Sequence, residues 1–149
     1  MIPLRNFEEF MNDLTVKRQR QDIPRAKSLV RESEARKNFM KEMSEKIELS
    51  DKTANYYIEN AYDAIMELIR AKMLVDGFKS SGYNAHEAEI SYLRNLGFPE
   101  AEIRFANELR YIRNQIKYYG KIMDSEYAKK VLEFFDRTYP KLRKFLEKL

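Results

Sequence analysis

Apolar residues recur along most of this chain with the period of an α-helix. Between residues 54 and 68 they follow one another at alternating steps of four and three positions. The members of this series are Ala54, Ile58, Ala61, Ile65 and Leu68. Tyr57, Ala64 and Ala71 widen the stripe until most of the helix circumference is apolar, which is typical of a helix at the centre of a bundle.

Three further segments carry helical patterns between clear start and stop signals. They run from Ala85 to Leu96, from Pro99 to Tyr119, and from Asp124 or Ser125 toward the C-terminus. Pro140 is expected to kink or break the last helix, and residues 79–82 are expected to form a flexible loop. Alternating strand patterns and fixed-length repeats are absent from the sequence. The sequence therefore predicts an all-α bundle with four core helices.

The first 48 residues look like a helical extension in front of a bundle at residues 51–149, within one compact domain. A first helical segment, residues 6–21, begins as an amphipathic turn and becomes basic at residues 17–20. Pro24 interrupts this pattern, and a second helix then runs to Ile47. This second helix has only a thin apolar stripe, so we expect it to lie across the body. The stripe comprises Leu29, Phe39, Met40, Met43 and Ile47. An alternative interpretation is that it docks a partner protein or a second copy of the chain.

Composition limits the chemistry that the chain can perform. It has no Cys and a single His, His86, which excludes disulfides, thiolate metal sites and two-histidine metal sites. We therefore expect neither a metal nor a cofactor. The net charge of +4 at pH 7 permits contact with phosphates without establishing it. Without an apolar segment suited to a signal peptide or a membrane span, we expect a soluble, cytoplasmic protein with no membrane association.

One polar helix face between residues 109 and 120 is the clearest candidate for binding. At about 100° per residue, Arg110, Arg113, Asn114 and Lys117 fall together on it. Arginine binds phosphate through a bidentate fork and lysine as a point charge, so this face suits a phosphate. The alternative is that these side chains pair with acidic residues of a neighbouring helix or face water.

Arg113-Asn114 near the end of the penultimate core helix resembles the Arg-containing signature of HEPN domains. In that signature an Arg, usually followed by a polar residue, precedes a His after four to six intervening positions. The order of the other motifs is similar to that family as well. These motifs are Tyr56-Tyr57, Tyr62-Asp63-Ala64, Leu74-Val75-Asp76-Gly77 and Gly82-Tyr83-Asn84-Ala85-His86. The resemblance covers roughly residues 51–148.

This resemblance implies an up-and-down bundle of four to five core helices that forms a homodimer with a shared cleft. It also implies a toxin–antitoxin or defence protein that binds or cleaves RNA or nucleotides without a metal. A nucleotidyltransferase antitoxin is the implied partner. Arg113 would stabilise charge on the scissile phosphate, and Asn114 would orient the group beside it. Arg110, Arg113, Lys117 and Tyr119 would contribute to phosphate or nucleic-acid binding. An alternative is a non-catalytic module that homodimerises and docks a nucleotidyltransferase-like partner.

The chain departs from the family pattern at the catalytic histidine, because Tyr118 and Tyr119 occupy that part of the motif. Tyrosine, with a pKa near 10, is a poor base at neutral pH. Tyr118 is therefore a candidate catalytic residue only if a cation lowers its pKa, and it can also donate a hydrogen bond or stack on a base. On an ideal helix it lies about 140° from Arg113. His86 is expected to be neutral and solvated, and the alternative is that it reaches the Arg113 cleft across the bundle or a dimer. Nuclease activity is left open.

Overall fold

The computed structural model describes residues 2–149, which form six helices and two short strands. The elements are α1 Phe7–Asn12, β1 Val16–Arg18, α2 Ile23–Lys46, α3 Ala54–Val75, β2 Phe78–Ser80, α4 Ala85–Asn95, α5 Glu100–Tyr119 and α6 Ser125–Lys144. This mostly helical content confirms the predicted all-α class. The specific HEPN arrangement stays a prediction.

α3 is the central helix, since α2, α4, α5 and α6 all pack against it. Its apolar positions cover most of the circumference, and Ile58, Leu68 and Ile69 are completely buried. Truncating a buried leucine in such a position costs about 2–5 kcal/mol, because a cavity is left behind. Within residues 2–149, no helix has both the length and the apolar character needed to cross a bilayer.

The first 48 residues contribute to the same apolar core as the rest of the chain. Phe7 and Phe10 of α1 and Val16 of β1 are buried in the cluster that contains α3 and α4 side chains. α2 packs along α3, and the Ser33 hydroxyl on α2 donates a hydrogen bond of 2.6 Å to the carbonyl oxygen of Ala64. The N-terminal segment is therefore packed against the bundle over its length.

The apolar stripe of α2 is used mainly inside the chain. Met40 and Met43 are buried, and Leu29 is half-buried against the core. Phe39 and Ile47 remain exposed. Most of the surface that the sequence offered for docking a partner is thus covered by the chain itself.

Two expectations are wrong in part. Residues 16–18 and 78–80 form short strands, where the sequence predicted a helix over residues 17–20 and a loop over residues 79–82. β1 and β2 pair antiparallel, with Lys17 opposite Lys79. Gly77, at φ +86°, accepts a hydrogen bond of 2.9 Å on its carbonyl from the Gln19 N–H. A Cβ on Gly77 would meet the Gln19 carbonyl oxygen at 3.0 Å, so this close approach favours glycine. The strands are too short to show an alternating pattern, and each depends on a partner distant in the sequence.

The expected interruption at Pro140 does not occur, because α6 continues through it to Lys144. Proline removes one hydrogen bond, to the carbonyl of Asp136. Asp136 is exposed, so water can bind that carbonyl. Tyr139 and Leu142 are buried on either side, and their packing holds the helix against the core.

Candidate nucleic-acid interface

An open groove of about 880 Å³ lies between the start of α4 and the C-terminal half of α5. α4 and the preceding loop supply Gly82, Tyr83, Asn84, His86 and Glu87, and α5 supplies residues from Arg110 to Tyr119. α5 is a regular helix that ends at Gly120, whose φ of +65° is the left-handed conformation of a helix cap. The groove is therefore formed by two helices that both pack on α3.

All the candidate residues of the sequence line this groove. Arg110, Arg113, Asn114 and Lys117 do so from the polar face of α5. Tyr118 and Tyr119 line it as well, although Tyr118 lies on another face of the helix. The helix stays regular to Tyr119, and the groove is broad enough for residues from both of these helix faces to line it. Neither a loosened helix nor a second subunit is needed to place Arg113 and Tyr118 in one groove.

The Arg113 guanidinium is largely enclosed and makes few contacts. Its side chain is 13% exposed, and its Cζ lies 5.5 Å from the centre of the Tyr62 ring. Within residues 2–149 its one polar contact joins Nη2 to Oδ1 of Asp63 at 3.5 Å. Charge-assisted bonds of this kind are usually about 2.7–2.9 Å long. Most of the five N–H donors of Arg113 are therefore available to an anion in the groove.

Arg110 is held more firmly by its own helix. Its Nε and Nη2 donate to Oδ1 of the buried Asn107 at 3.1 and 3.0 Å. Two of its donors are thus occupied, and the remaining guanidinium edge borders the groove. The positions of Arg110 and Asn107, three residues apart, make this contact readable from sequence.

The surroundings of His86 differ from those expected from the sequence. Its ring is half-buried rather than solvated, and its Nδ1 lies 3.0 Å from the Tyr62 hydroxyl. Burial lowers the pKa of His86, while the charge of Glu89 raises it and the charges of Arg70 and Arg113 lower it further. At neutral pH the imidazole is therefore uncharged.

Tyr62 connects His86 to Arg113. The Tyr62 ring is buried, and this burial raises the pKa of its hydroxyl above the ordinary value, so the phenol stays protonated. One edge of Tyr62 contacts the imidazole and one face lies near the Arg113 guanidinium. Tyr62-Asp63 on α3 and His86 on α4 are far apart in sequence. Only the packing of α4 and α5 on the same part of α3 shows that they belong to one site.

Four exposed tyrosines line the groove together with the cationic side chains. Tyr118 is 66% exposed and Tyr119 is 77% exposed, and Tyr83 and Tyr111 are exposed as well. Lys117 Nζ lies 5.6 Å from the centre of the Tyr118 ring. Exposed aromatic rings beside cations are the combination that binds stacked bases and their phosphates.

Carboxylates near the groove are paired with arginines. Glu87, which lines the groove, lies 3.3 Å from Nη2 of Arg5. Arg36 of α2 contacts Glu67 through Nε at 2.8 Å and Asp63 through Nη1 at 3.8 Å. Glu67 is 6% exposed, and this burial raises its pKa to about 7 although Arg36 lowers it. Within residues 2–149, no cluster of three acidic or histidine side chains is arranged to hold a metal ion.

Comparison of the chain with models of protein families, with curated proteins and with solved structures gives no match. The interpretation of the groove therefore depends on its own geometry, and the resemblance to HEPN domains stays a prediction.

Proposed function

We propose that this protein is a HEPN-type protein that binds single-stranded RNA in the groove between α4 and α5. The observation that carries the proposal is the Arg113 guanidinium, which is largely enclosed yet has most of its donors unused. An enclosed cation with free hydrogen-bond donors binds phosphate with less competition from water than an exposed cation does. Asn114 and Lys117 lie beside it and add an amide and a second charge.

The tyrosines favour RNA over an isolated phosphate. Four exposed rings line the groove, and each offers a flat surface to a base without specifying its sequence. Single-stranded RNA presents both unstacked bases and phosphates, whereas a paired helix hides its bases. The groove therefore fits a short, flexible stretch of RNA, with phosphates toward Arg113 and bases on the tyrosines.

An equilibrium titration with a labelled single-stranded RNA of about 12 nucleotides tests this proposal. Arg113→Met should weaken binding by about 10–100-fold, because a charge-assisted phosphate contact is lost. Arg137→Met on the exposed side of α6 is the matched control and should bind like the wild type. Equal affinities for wild type and Arg113→Met would contradict the proposal, as would the absence of wild-type binding at low salt.

The position of His86 favours RNA cleavage as a second function of the same groove. Where Nδ1–H donates to the Tyr62 oxygen, Nε2 has a free lone pair and can accept the proton of a 2′-hydroxyl. The 2′-oxygen then bonds to phosphorus as the bond from phosphorus to the 5′-oxygen breaks, and the leaving 5′-oxygen takes a proton from water in the open groove. The products are a 2′,3′-cyclic phosphate and a 5′-hydroxyl. Arg113 would stabilise the charge that develops on the phosphate.

Incubation of RNA with the protein in EDTA tests the second function. We expect cleavage with 2′,3′-cyclic phosphate ends, and a loss of about 100-fold or more in His86→Gln, because the imidazole is removed. Tyr118→Phe should cleave at the wild-type rate if His86, rather than Tyr118, handles the proton. Intact RNA with the wild type would leave binding as the function and remove catalysis.

Homodimerisation and docking of a nucleotidyltransferase-like partner are the remaining proposals that follow from the resemblance. The exposed tyrosines Tyr111 and Tyr119 at the rim of the groove support a second copy facing the same cleft. Sedimentation of the purified chain should then give twice the monomer mass, and the Tyr111→Glu variant should sediment with the monomer mass. A monomer at every concentration would contradict the dimer.

A further inference from the structure

The basic run of the sequence lies outside the groove, on the two-stranded sheet and the start of α2. The sheet places Lys17 opposite Lys79, and both side chains are exposed. Arg18 and Arg20 follow in the chain, and Arg25 lies in the first turn of α2. Within residues 2–149 none of these five side chains forms an ion pair with a carboxylate. Arg18 pairs with Phe78, and its Cζ lies 5.2 Å from the centre of that ring, on the other face of the sheet from Lys17 and Lys79. We call Lys17, Arg25 and Lys79 the basic ribbon.

The pairing of Lys17 with Lys79 does not favour folding. Like charges directly opposite one another on an antiparallel pair of strands are destabilising, whereas a Lys–Glu pair would be stabilising. The chain pairs acids with bases elsewhere, for example at Arg70 and Glu89. Two unpaired lysines at opposing positions therefore point to an anion outside the chain.

A small cavity beside the basic ribbon offers a place for such an anion. It measures about 60 Å³ and is lined by Arg25, Arg70 and Lys79, together with Ser80 and Asp22. Arg70 uses Nε and Nη2 for Glu89, and within residues 2–149 its Nη1 makes no hydrogen bond. Asp22, the carboxylate in this lining, accepts the Arg25 backbone N–H at 3.1 Å and caps α2. The cavity holds roughly two water volumes, which suits a phosphate group approaching from the surface.

The basic ribbon is continuous with the groove along the chain. β2 ends at Ser80, and Gly82, two residues later, already lines the groove. At no more than about 3.6 Å per residue, Lys79 lies within roughly 11 Å of Gly82. The basic ribbon and the groove therefore approach each other at the connection between β2 and α4.

We propose that the basic ribbon binds phosphates of the same RNA strand that occupies the groove. The ligand is then a single-stranded RNA several nucleotides long, rather than a mononucleotide. This inference rests on the proposed function, because the groove supplies the first part of the path. The basic ribbon adds affinity that depends on RNA length and on salt.

Titrations of two RNAs with one ribbon variant and one control test the inference. The probes are a dinucleotide, which fits the groove alone, and an RNA of about 12 nucleotides. The variant is Lys17→Glu with Lys79→Glu, which keeps a like-charge pair across the strands and so leaves the sheet energetics comparable. The control is Lys130→Glu with Arg137→Glu on α6, which makes the same change in net charge.

The ribbon variant should bind the longer RNA at least about 10-fold more weakly, and its log–log salt slope should fall by about 1.4, for two lost contacts. Its dinucleotide affinity should match that of the control. Single Lys17→Glu should weaken binding of the longer RNA while raising the urea midpoint, since a Glu–Lys pair replaces two lysines. A purely structural role for Lys17 would not give that combination.

Each other outcome overturns a defined part of the account. If the ribbon variant binds the longer RNA like the control while Arg113→Met weakens it, the basic ribbon has no role and the groove stands. If only the ribbon variant weakens binding, the proposed function of the groove fails. The proposal that one RNA strand contacts both surfaces then fails as well. If the ribbon variant loses binding to phosphatidylserine vesicles but not to RNA, the ribbon binds a membrane surface instead. Failure of the wild type to bind the longer RNA removes both proposals.

Discussion

Arg70 and Arg113 both lie near His86 and are held in very different ways. Arg70 donates from Nε and Nη2 to the two carboxylate oxygens of Glu89 at 2.9 and 3.0 Å. Glu89 is 1% exposed, and it also accepts a 2.6 Å hydrogen bond from Ser80. Arg113 has only the 3.5 Å contact with Asp63.

The difference separates an arginine that holds the fold from one that is available to a ligand. Both side chains are largely enclosed, so burial alone does not distinguish them. The number and length of their contacts does. The two-bond pair of Arg70 with the buried Glu89 ties α3 to α4, whereas Arg113 on α5 has one long contact and opens onto the groove.

The largest expected effect tests the structural half of this comparison. Arg70→Met should lower the free energy of unfolding by about 3–5 kcal/mol, because it leaves the Glu89 carboxylate buried without a partner. Urea denaturation measures this loss. The double variant Arg70→Met with Glu89→Leu is the control and should recover most of the stability, since no charge is then left buried. A single variant as stable as the wild type would show that Arg70 is not structural.

A second effect comes from Glu67, which lies on α3 three residues before Arg70. Its folded pKa of about 7 lies above the ordinary 4.5, so the folded state binds the proton more tightly. The stabilisation is present below pH 4.5 and is lost as pH rises to about 7, contributing about 1–3 kcal/mol. Glu67→Gln should remove this dependence.

Urea midpoints measured across this pH range, for the wild type and Glu67→Gln, check the prediction. The two curves should diverge as pH rises, with the variant becoming the more stable one at alkaline pH. Glu48→Gln, at an exposed site, should follow the wild type. Parallel curves for wild type and Glu67→Gln would contradict the assignment.

The aromatic rim of the groove should give a moderate effect on binding alone. Tyr118→Leu removes an exposed ring and should weaken RNA binding by about 5–10-fold, the lower part of the range for one base stacked on one ring. The unfolding free energy should be unchanged, because the ring is mostly in water. Tyr56→Leu, another exposed tyrosine outside the groove, is the matched control. Equal losses of RNA affinity in both variants would mean that Tyr118 contributes no more to RNA binding than a tyrosine outside the groove.

The smallest effect sharpens the comparison at Asp63. Asp63→Asn removes a negative charge beside Arg113 and should strengthen RNA binding by about 2–5-fold. Asp136→Asn on α6 provides the same charge change away from the groove. Weaker binding in Asp63→Asn than in Asp136→Asn would show that Asp63 positions Arg113 for the ligand rather than competing with it.

Sequence periodicity predicted the helices well and the site only in part. The apolar pattern around residues 54–71 identified the central helix, because a helix packed on all sides leaves that pattern in the sequence. Helix spacing likewise placed Arg113 and Lys117 on one face. The start of β1 at Val16 was missed, because three-residue strands depend on backbone bonds to a distant segment.

The contact of His86 with Tyr62 could not be read from the sequence for the same reason. Its first-turn position predicts an exposed ring, whereas the packing of α4 on α3 brings it against Tyr62. Asp63 and Arg113 are 50 residues apart, and spacing within one helix cannot report a contact between two helices. Likewise, the proline rule failed at Pro140, because tertiary packing outweighed the local penalty.

Two quantities measured on Arg113→Met test the central claim most directly: the free energy of unfolding and the dissociation constant for single-stranded RNA. The account predicts that the free energy of unfolding stays within about 1 kcal/mol of the wild type, because one 3.5 Å contact is lost. It predicts that the RNA dissociation constant rises by about 10–100-fold. A variant that loses several kcal/mol of stability while its RNA affinity is unchanged would show that Arg113, like Arg70, serves the fold.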